Sequence, residues 1–172
     1  MTTHHLEPKL FYYTYGPNEP ALHMQSGDTV IAITRDAFGY DAKRQPLPEH
    51  MKQRLTGTTL RESNPVVGPI YVDGADQGDL LAVHIRRIRL TRDFALSKQS
   101  SRFGSLTGEG PGHVLLYNEP IPAIWYEWRL DLKRNVGILE LPNSGLKRVE
   151  VPLHPFIGSM GVAPALGRVE PT

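Results

Sequence analysis

The stretch Ile124-Trp125-Tyr126-Glu127-Trp128-Arg129-Leu130-Asp131-Leu132 indicates the fold class most clearly. Apolar side chains occupy every second position of it, and charged side chains lie between them from Glu127 onward. A period of two is typical of a β-strand with one buried face. Two further apolar runs follow, at Ile138 to Leu141 and at Val149 to Leu153, with turn-forming residues between them. We therefore predict three consecutive strands that form a meander.

Turn-forming residues also precede apolar runs in the first half of the chain. Gly27-Asp28 and Gly78-Asp79 each stand directly before such a run. Glycine can adopt a positive φ, and an aspartate side chain can accept a hydrogen bond from a nearby backbone N–H, so both pairs predict a turn before a strand. The run from Val83 to Leu90 changes parity, which predicts a strand with a bulge at Arg86-Arg87.

Helix signals are weak throughout the sequence. The best candidate is Pro48 to Leu55, which has room for barely two turns. The Gly- and Ser-rich residues Ser97 to Gly112 predict a long loop. Many short strands and little helix favour a mainly β fold, a β-sandwich or jelly-roll-like body, with residues 1–172 forming a single β-rich domain.

The composition excludes several classes of function. Lys and Arg number 19 and Asp and Glu number 18, so the net charge of +1 provides no broad field to attract nucleic acid or an acidic membrane. The absence of Cys excludes a disulfide framework, a thiolate zinc site and a cysteine nucleophile. No apolar run approaches the length of about 18 residues that a membrane-spanning helix needs. We expect a cytoplasmic protein with no nucleic-acid or membrane partner.

Three segments together point to a known family. The first is residues 64–81, N-P-V-V-G-P-I-Y-V-D-G-A-D-Q-G-D-L-L, and the second is residues 155–164, P-F-I-G-S-M-G-V-A-P. The third and weaker segment is residues 26–30, which lead to Asp36-Ala37. In content, order and spacing they resemble motifs of the acetamidase/formamidase family, although Asp73 stands where Glu is frequent. The resemblance implies hydrolysis of short linear amides, such as formamide and acetamide, to ammonium and a carboxylate.

Two further motifs of that family are not found in this sequence. They are His-Gly-Gly-Asn-x-Asp and, later, Gly-Asp-x-His-Ala-x-Gln-Gly-Asp-Gly-Glu, both rich in groups that could bind a metal or move protons. The chain therefore resembles about the N-terminal half of a typical member, and we expect an incomplete fold. Besides a small amide substrate, the expected partners are a second copy, through an open sheet edge, or a second polypeptide that supplies the C-terminal half. The other interpretation is a remnant without turnover.

Amide hydrolysis requires an activated nucleophile, a polarised carbonyl and a proton for the departing amine. Without Cys, the remaining common route is a water activated by a carboxylate or by a metal, with ligands from Asp, Glu and His. The cofactor is open, and a divalent metal such as zinc is one candidate. No pair of the seven His residues has the His-Glu-x-x-His spacing that would itself indicate zinc.

Asp73, His154 and Asp36 are the candidate catalytic residues. Asp73 follows the predicted strand Ile70-Tyr71-Val72, Asp36 follows an apolar run, and His154 directly precedes the second family segment. For each of them, a role in a turn or at a strand end is the structural alternative. Gly158 and Gly161 are candidate substrate-binding residues whose backbone N–H groups could hold the amide oxygen. Their structural alternative is close backbone approach or a positive φ.

A non-catalytic β-sandwich module for binding or assembly is the alternative function. It predicts that Asp36, Asp73 and His154 do not converge on one cleft.

Overall fold

The computed structural model describes residues 1–55, 62–100 and 122–172. Within these ranges the regular structure consists of ten strands and two single 3-10 turns. The strands are β1 (Thr3–Leu6), β2 (Thr14–Tyr15), β3 (Leu22–Met24), β4 (Thr29–Ala32), β5 (Ile70–Val72), β6 (Phe94–Gln99), β7 (Ile124–Asp131), β8 (Val136–Leu141), β9 (Lys147–Pro152) and β10 (Glu170–Pro171). The predicted mainly β fold with little helix is therefore confirmed, whereas the sandwich or jelly-roll arrangement of the sheets stays a prediction.

The chain divides into two compact units. The first unit comprises residues 1–88 and 156–172, and the second comprises residues 89–155. The prediction that residues 1–172 form a single β-rich domain stays a prediction. No helix in the described ranges has the length and apolar character needed to cross a membrane.

In the described part of the second unit, residues 89–100 and 122–155, the strands form one antiparallel sheet in the order β6-β7-β8-β9. Strand β7 ends at Asp131, one residue before the predicted end, because residues 132–135 form the turn into β8. Leu130 and Ile138 are buried on β7 and β8, and Phe94 is buried at the start of β6. The predicted meander of three strands is confirmed as β7-β8-β9.

The described residues of the first unit form three two-stranded sheets. Strand β1 pairs in parallel with β4, β3 pairs in parallel with β5, and β2 pairs antiparallel with β10. A small core of Phe11, Tyr13 and Leu47 lies in the same unit. Gln53 supports this core, because its Oε1 accepts a hydrogen bond of 2.8 Å from the backbone N–H of Tyr13.

The two predicted Gly-Asp turns have the same internal hydrogen bonds. Gly27 and Gly78 both adopt a positive φ, at 88° and 103°. The Asp28 carboxylate accepts from the N–H of Gln25, three residues earlier, and the Asp79 carboxylate accepts from the N–H of Asp76 in the same way. The prediction of shared turn chemistry is therefore confirmed.

Only the first of these turns leads into a strand. The predicted strand from Val83 to Leu90, with its bulge at Arg86-Arg87, is wrong, since residues 79–91 carry no strand. None of the described strands pairs with this segment, and most of its apolar side chains are exposed, Leu80 at 98% and Leu81 at 52%. A period of two does not form a strand unless a neighbouring strand supplies the hydrogen bonds.

The predicted helix at Pro48 to Leu55 is shorter than expected. A single 3-10 turn covers Glu49–Met51. The N–H of Phe11 donates to the carbonyl of Met51, and the N–H of Gln53 donates to the carbonyl of Phe11. Through these hydrogen bonds the extended chain after Met51 pairs with Phe11, which ends the 3-10 turn. The loop predicted for Ser97 to Gly112 is wrong at Ser97–Gln99, which belong to β6, and its residues from 101 onward lie outside the described ranges.

Asp28 links the N-terminal strand β1 to the turn that precedes β4. Its carboxylate accepts a 2.6 Å hydrogen bond from the backbone N–H of Thr2, and His4 Nε2 lies 3.0 Å from Oδ2. The Asp28 side chain is 8% exposed. The hydrogen bond with His4, followed by that from Thr2, lowers the pKa of Asp28 to about 2. The same residue therefore closes the turn into β4 and holds β1 in register beside it.

We predict that Asp28 contributes to stability in a pH-dependent manner. Because its pKa is lower in the folded protein than in the unfolded chain, its contribution is complete above about pH 4 and is lost as the pH falls toward 2. Urea midpoints of wild type and Asp28→Asn should therefore differ near pH 6 and converge near pH 2.

Asp79→Asn is the matched control, since Asp79 closes the same turn without a histidine or an N-terminal strand beside it. An equal difference between wild type and Asp28→Asn at pH 6 and pH 2 would contradict the assignment.

Candidate functional site

Asp73 lies directly after β5 in a cluster of polar side chains. Its Oδ1 is 3.2 Å from His23 Nδ1, and its Oδ2 accepts a 2.8 Å hydrogen bond from Gln25 Nε2. The ring of Tyr71 packs against the imidazole of His23, with 5.0 Å between centroids. These four residues, His23, Gln25, Tyr71 and Asp73, are called the polar face below. It combines a carboxylate, an imidazole, an amide and a phenol in one exposed cluster.

The register of two parallel strands builds the polar face. His23 on β3 is the direct neighbour of Tyr71 on β5, and the backbone N–H of Asp73 donates to the carbonyl of Met24 at 2.8 Å. Gln25 and Asp73 directly follow β3 and β5, and the contacts of Asp73 with His23 and Gln25 bring them to the side of the sheet that carries His23. Leu22, Met24 and Val72 alternate with them and are partly buried. The sequence therefore separates a polar side and an apolar side of this small sheet.

The polar face is accessible to solvent. The side chains of His23 and Asp73 are 61% and 41% exposed. Asp73 can hold the proton of His23 on Nδ1, which leaves the lone pair of Nε2 available to accept a proton. A general base requires an imidazole with one ring nitrogen held by a hydrogen bond and the other open to solvent, and this geometry meets that requirement.

Asp36 has a different position and a different set of contacts. Its Oδ1 accepts hydrogen bonds of 2.9 Å from the backbone N–H groups of Phe38 and Tyr40, which closes the loop after β4. Asp36 therefore has the role in a turn that was the structural alternative to a catalytic role. None of the contacts described for Asp36 involves His23, Gln25 or Asp73. The catalytic role of Asp36 stays a prediction.

His154 belongs to the second unit, whereas Asp36 and Asp73 belong to the first. It is exposed and follows β9 by two residues. The strand end is held by Asn135, whose side-chain amide donates to the carbonyl of Leu153. The catalytic role of His154 also stays a prediction.

Gly161 and Gly158 differ in their surroundings. A Cβ atom on Gly161 would lie 3.1 Å from Cζ of Tyr15, tighter than an ordinary contact, whereas one on Gly158 would meet no atom within 4 Å. Gly161 therefore allows close approach of the Tyr15 ring, which is one of the structural roles predicted for it. Neither glycine has a positive φ. Gly158 shows neither close backbone approach nor a positive φ, so its backbone N–H stays a candidate donor to the amide oxygen.

The described residues supply no ligand set for the divalent metal considered from the sequence. In residues 1–55, 62–100 and 122–172, no three His, Asp or Glu side chains lie together in a way that could hold a metal ion.

A scan against models of protein families matches residues 14–168 to the Acetamidase/Formamidase family. The chain belongs to the acetamidase/formamidase family. The match covers most of the chain and confirms the family recognised from the three segments. Neither the search of curated proteins nor the search of solved structures gave a match.

In this member of the acetamidase/formamidase family, sequence reasoning missed His23 and Gln25. Both lie just before the Gly27-Asp28 turn, where their alternation with Leu22 and Met24 was the available signal. The alternation becomes informative only once β3 is known to pair with β5. The family segment led to Asp73 but did not indicate which residues of β3 stand beside it.

We predict that Gly161→Val destabilises the protein by about 1–3 kcal/mol, because the new side chain would press on the Tyr15 ring. Gly158→Val is the matched control and should leave the unfolding midpoint nearly unchanged. Chemical denaturation of both variants measures the difference. Equal destabilisation by the two substitutions would contradict the packing role of Gly161.

Proposed function

We propose that this chain takes part in hydrolysis of the carbon–nitrogen bond of short linear amides, giving ammonium and a carboxylate. Membership in the acetamidase/formamidase family supports an amidase-like function in general. The observation that carries the proposal is that the family match includes β5 and Asp73, and that the Asp73 carboxylate lies in the exposed polar face.

In this proposal Asp73 is the carboxylate around which the reaction centre is organised. A small amide such as formamide or acetamide needs a base for the attacking water, a donor for the carbonyl oxygen and a proton for the leaving amine. The polar face contains candidates for these tasks: the imidazole of His23 for the proton transfers and the phenol of Tyr71 as a donor to the carbonyl oxygen. The side-chain amide of Gln25 donates to Asp73. Asp36, His154 and the N–H groups of Gly158 and Gly161 are kept as candidates for further contacts with the substrate.

We also propose a protein partner, either a second copy of the chain or a second polypeptide that supplies further reactive groups. Large apolar side chains are exposed in the first unit, with Leu80 98%, Phe156 82% and Leu166 84% accessible. Exposed apolar surface of this kind is covered when a protein partner binds. The three residues lie within residues 79–91 and 156–167, which carry no strands.

This exposure is also the observation that favours a second candidate function, a non-catalytic assembly module. In the second unit, the four-stranded sheet adds an apolar depression of about 210 Å³, lined in part by Leu96, Trp128 and Val151. An assembly module would use such surfaces without turning over an amide.

An ammonium-release assay separates the two functions. We predict that the chain, alone or with a polypeptide that carries the two C-terminal family motifs, releases ammonium from formamide or acetamide. Asp73→Asn should lower kcat/KM by about 100-fold or more, because loss of a positioned group in proton transfer has an effect of that size. Asp76→Asn is the matched control three residues away and should leave the rate unchanged.

Light scattering after size-exclusion chromatography of the same samples reports the mass of the species present. Assembly without ammonium release in either sample would favour the assembly module and contradict the proposed amidase function. A monomer that releases ammonium would contradict the need for a partner.

A further inference from the structure

We propose that His23 is the catalytic residue that moves the proton in this site and that Asp73 is its positioning residue. This inference rests on the proposed amidase function and deepens it. It departs from the interpretation of Asp73 as the base that acts directly on water.

Asp73 contacts two side chains of the polar face, one with each carboxylate oxygen. One carboxylate oxygen lies 3.2 Å from His23 Nδ1, and the other accepts a hydrogen bond from Gln25 Nε2. Both oxygens are thus engaged with neighbouring side chains. The carboxylate is better placed to orient the imidazole than to take a proton from a separate water.

His23 combines a ring contact with exposure to solvent. The Tyr71 ring packs at 5.0 Å from the imidazole centroid with an angle of 39° between the planes, which restricts the rotation of the imidazole. The side chain is nevertheless 61% exposed. Because Nδ1 faces Asp73, the other ring nitrogen, Nε2, is the one available to water and substrate.

The reaction that follows is balanced in atoms and charge. His23 Nε2 takes a proton from water while the water oxygen bonds to the amide carbon and the carbonyl π electrons move to oxygen. The carbon–nitrogen bond then breaks, the electrons of the tetrahedral oxygen restore the carbonyl, and the departing nitrogen takes the proton from Nε2. Carboxylic acid and ammonia result, and they become carboxylate and ammonium near neutral pH. His23 returns to its neutral form, so the cycle needs no further reactant.

The tyrosine and the glutamine of the polar face have supporting roles in this scheme. Gln25 holds the second oxygen of Asp73 and thereby keeps the carboxylate turned toward His23. Tyr71 packs on the imidazole, and its side chain is exposed. The four residues lie on β3 and β5 or directly after them, within one unit.

His23→Gln tests the catalytic role directly. We predict that it lowers kcat/KM for acetamide or formamide by about 100-fold or more, as expected for the loss of a general base. His5→Gln is the matched control, an exposed histidine on β1, and should leave the rate unchanged. Circular dichroism of each variant verifies that the fold is kept.

Nitrogen NMR of His23 tests the positioning role without an activity measurement. The neutral ring should carry its proton on Nδ1 in wild type and should lose that preference in Asp73→Ala. Gln25→Ala, which retains Asp73, should weaken the preference without abolishing it. A structural role of Asp73 that did not involve the imidazole would leave the tautomer unchanged.

The outcomes distinguish this inference from the proposed function. Ammonium release by wild type together with less than about a threefold loss in His23→Gln would overturn the inference and leave the amidase function standing. No ammonium release from any sample would contradict the proposed function and, with it, the catalytic role of His23. Proton occupancy of Nε2 rather than Nδ1 in wild type would overturn the positioning role of Asp73 in either case.

Discussion

The parallel pairing of β3 with β5 is the constraint on which the candidate site depends. These strands are only three residues long, yet they bring together residues that are about 50 positions apart in the sequence. Parallel strands require a long connection, so no local turn sets their register. The register instead follows from the apolar side chains of Leu22, Met24 and Val72, which are partly buried on the opposite side of the sheet. A shift by one residue would exchange the two sides and separate His23 from Asp73.

A second constraint acts at the turn between β3 and β4. Asp28 closes that turn, and the same carboxylate holds Thr2 and His4 of the N-terminal strand. Asp79 closes an equivalent turn after β5, but the residues that follow it remain exposed and carry no strand. Similar local chemistry therefore leads to different structure, because β4 pairs with β1, whereas no strand in the described ranges pairs with the residues after Asp79.

This contrast shows how much of the fold the sequence could predict. The meander of the second unit was predictable because each of its strands pairs with the next along the chain, through short turns. The strand from Val83 to Leu90 was predicted from the spacing of its apolar residues and is wrong. That spacing does not show whether another strand is available to pair with the segment. The helix at Pro48 to Leu55 was overestimated because Phe11, about 40 residues earlier, pairs with the chain after Met51. Asp73 was found through its family segment, whereas His23 required knowledge of the pairing of two distant strands. Asp36 and His154 have no described contact with the polar face. The sequence pattern does not specify which residues or substrate groups either side chain contacts, and their catalytic roles depend on those contacts.

Nuclear Overhauser contacts between β3 and β5 test the central claim most directly. The account predicts contacts between the rings of His23 and Tyr71, together with slow exchange of the Asp73 amide proton, which is bonded to the Met24 carbonyl. Contacts of His23 with the side chains of Ile70 or Val72 in place of Tyr71 would reveal a register shifted by one residue. That result would contradict the polar face and the chemistry inferred from it.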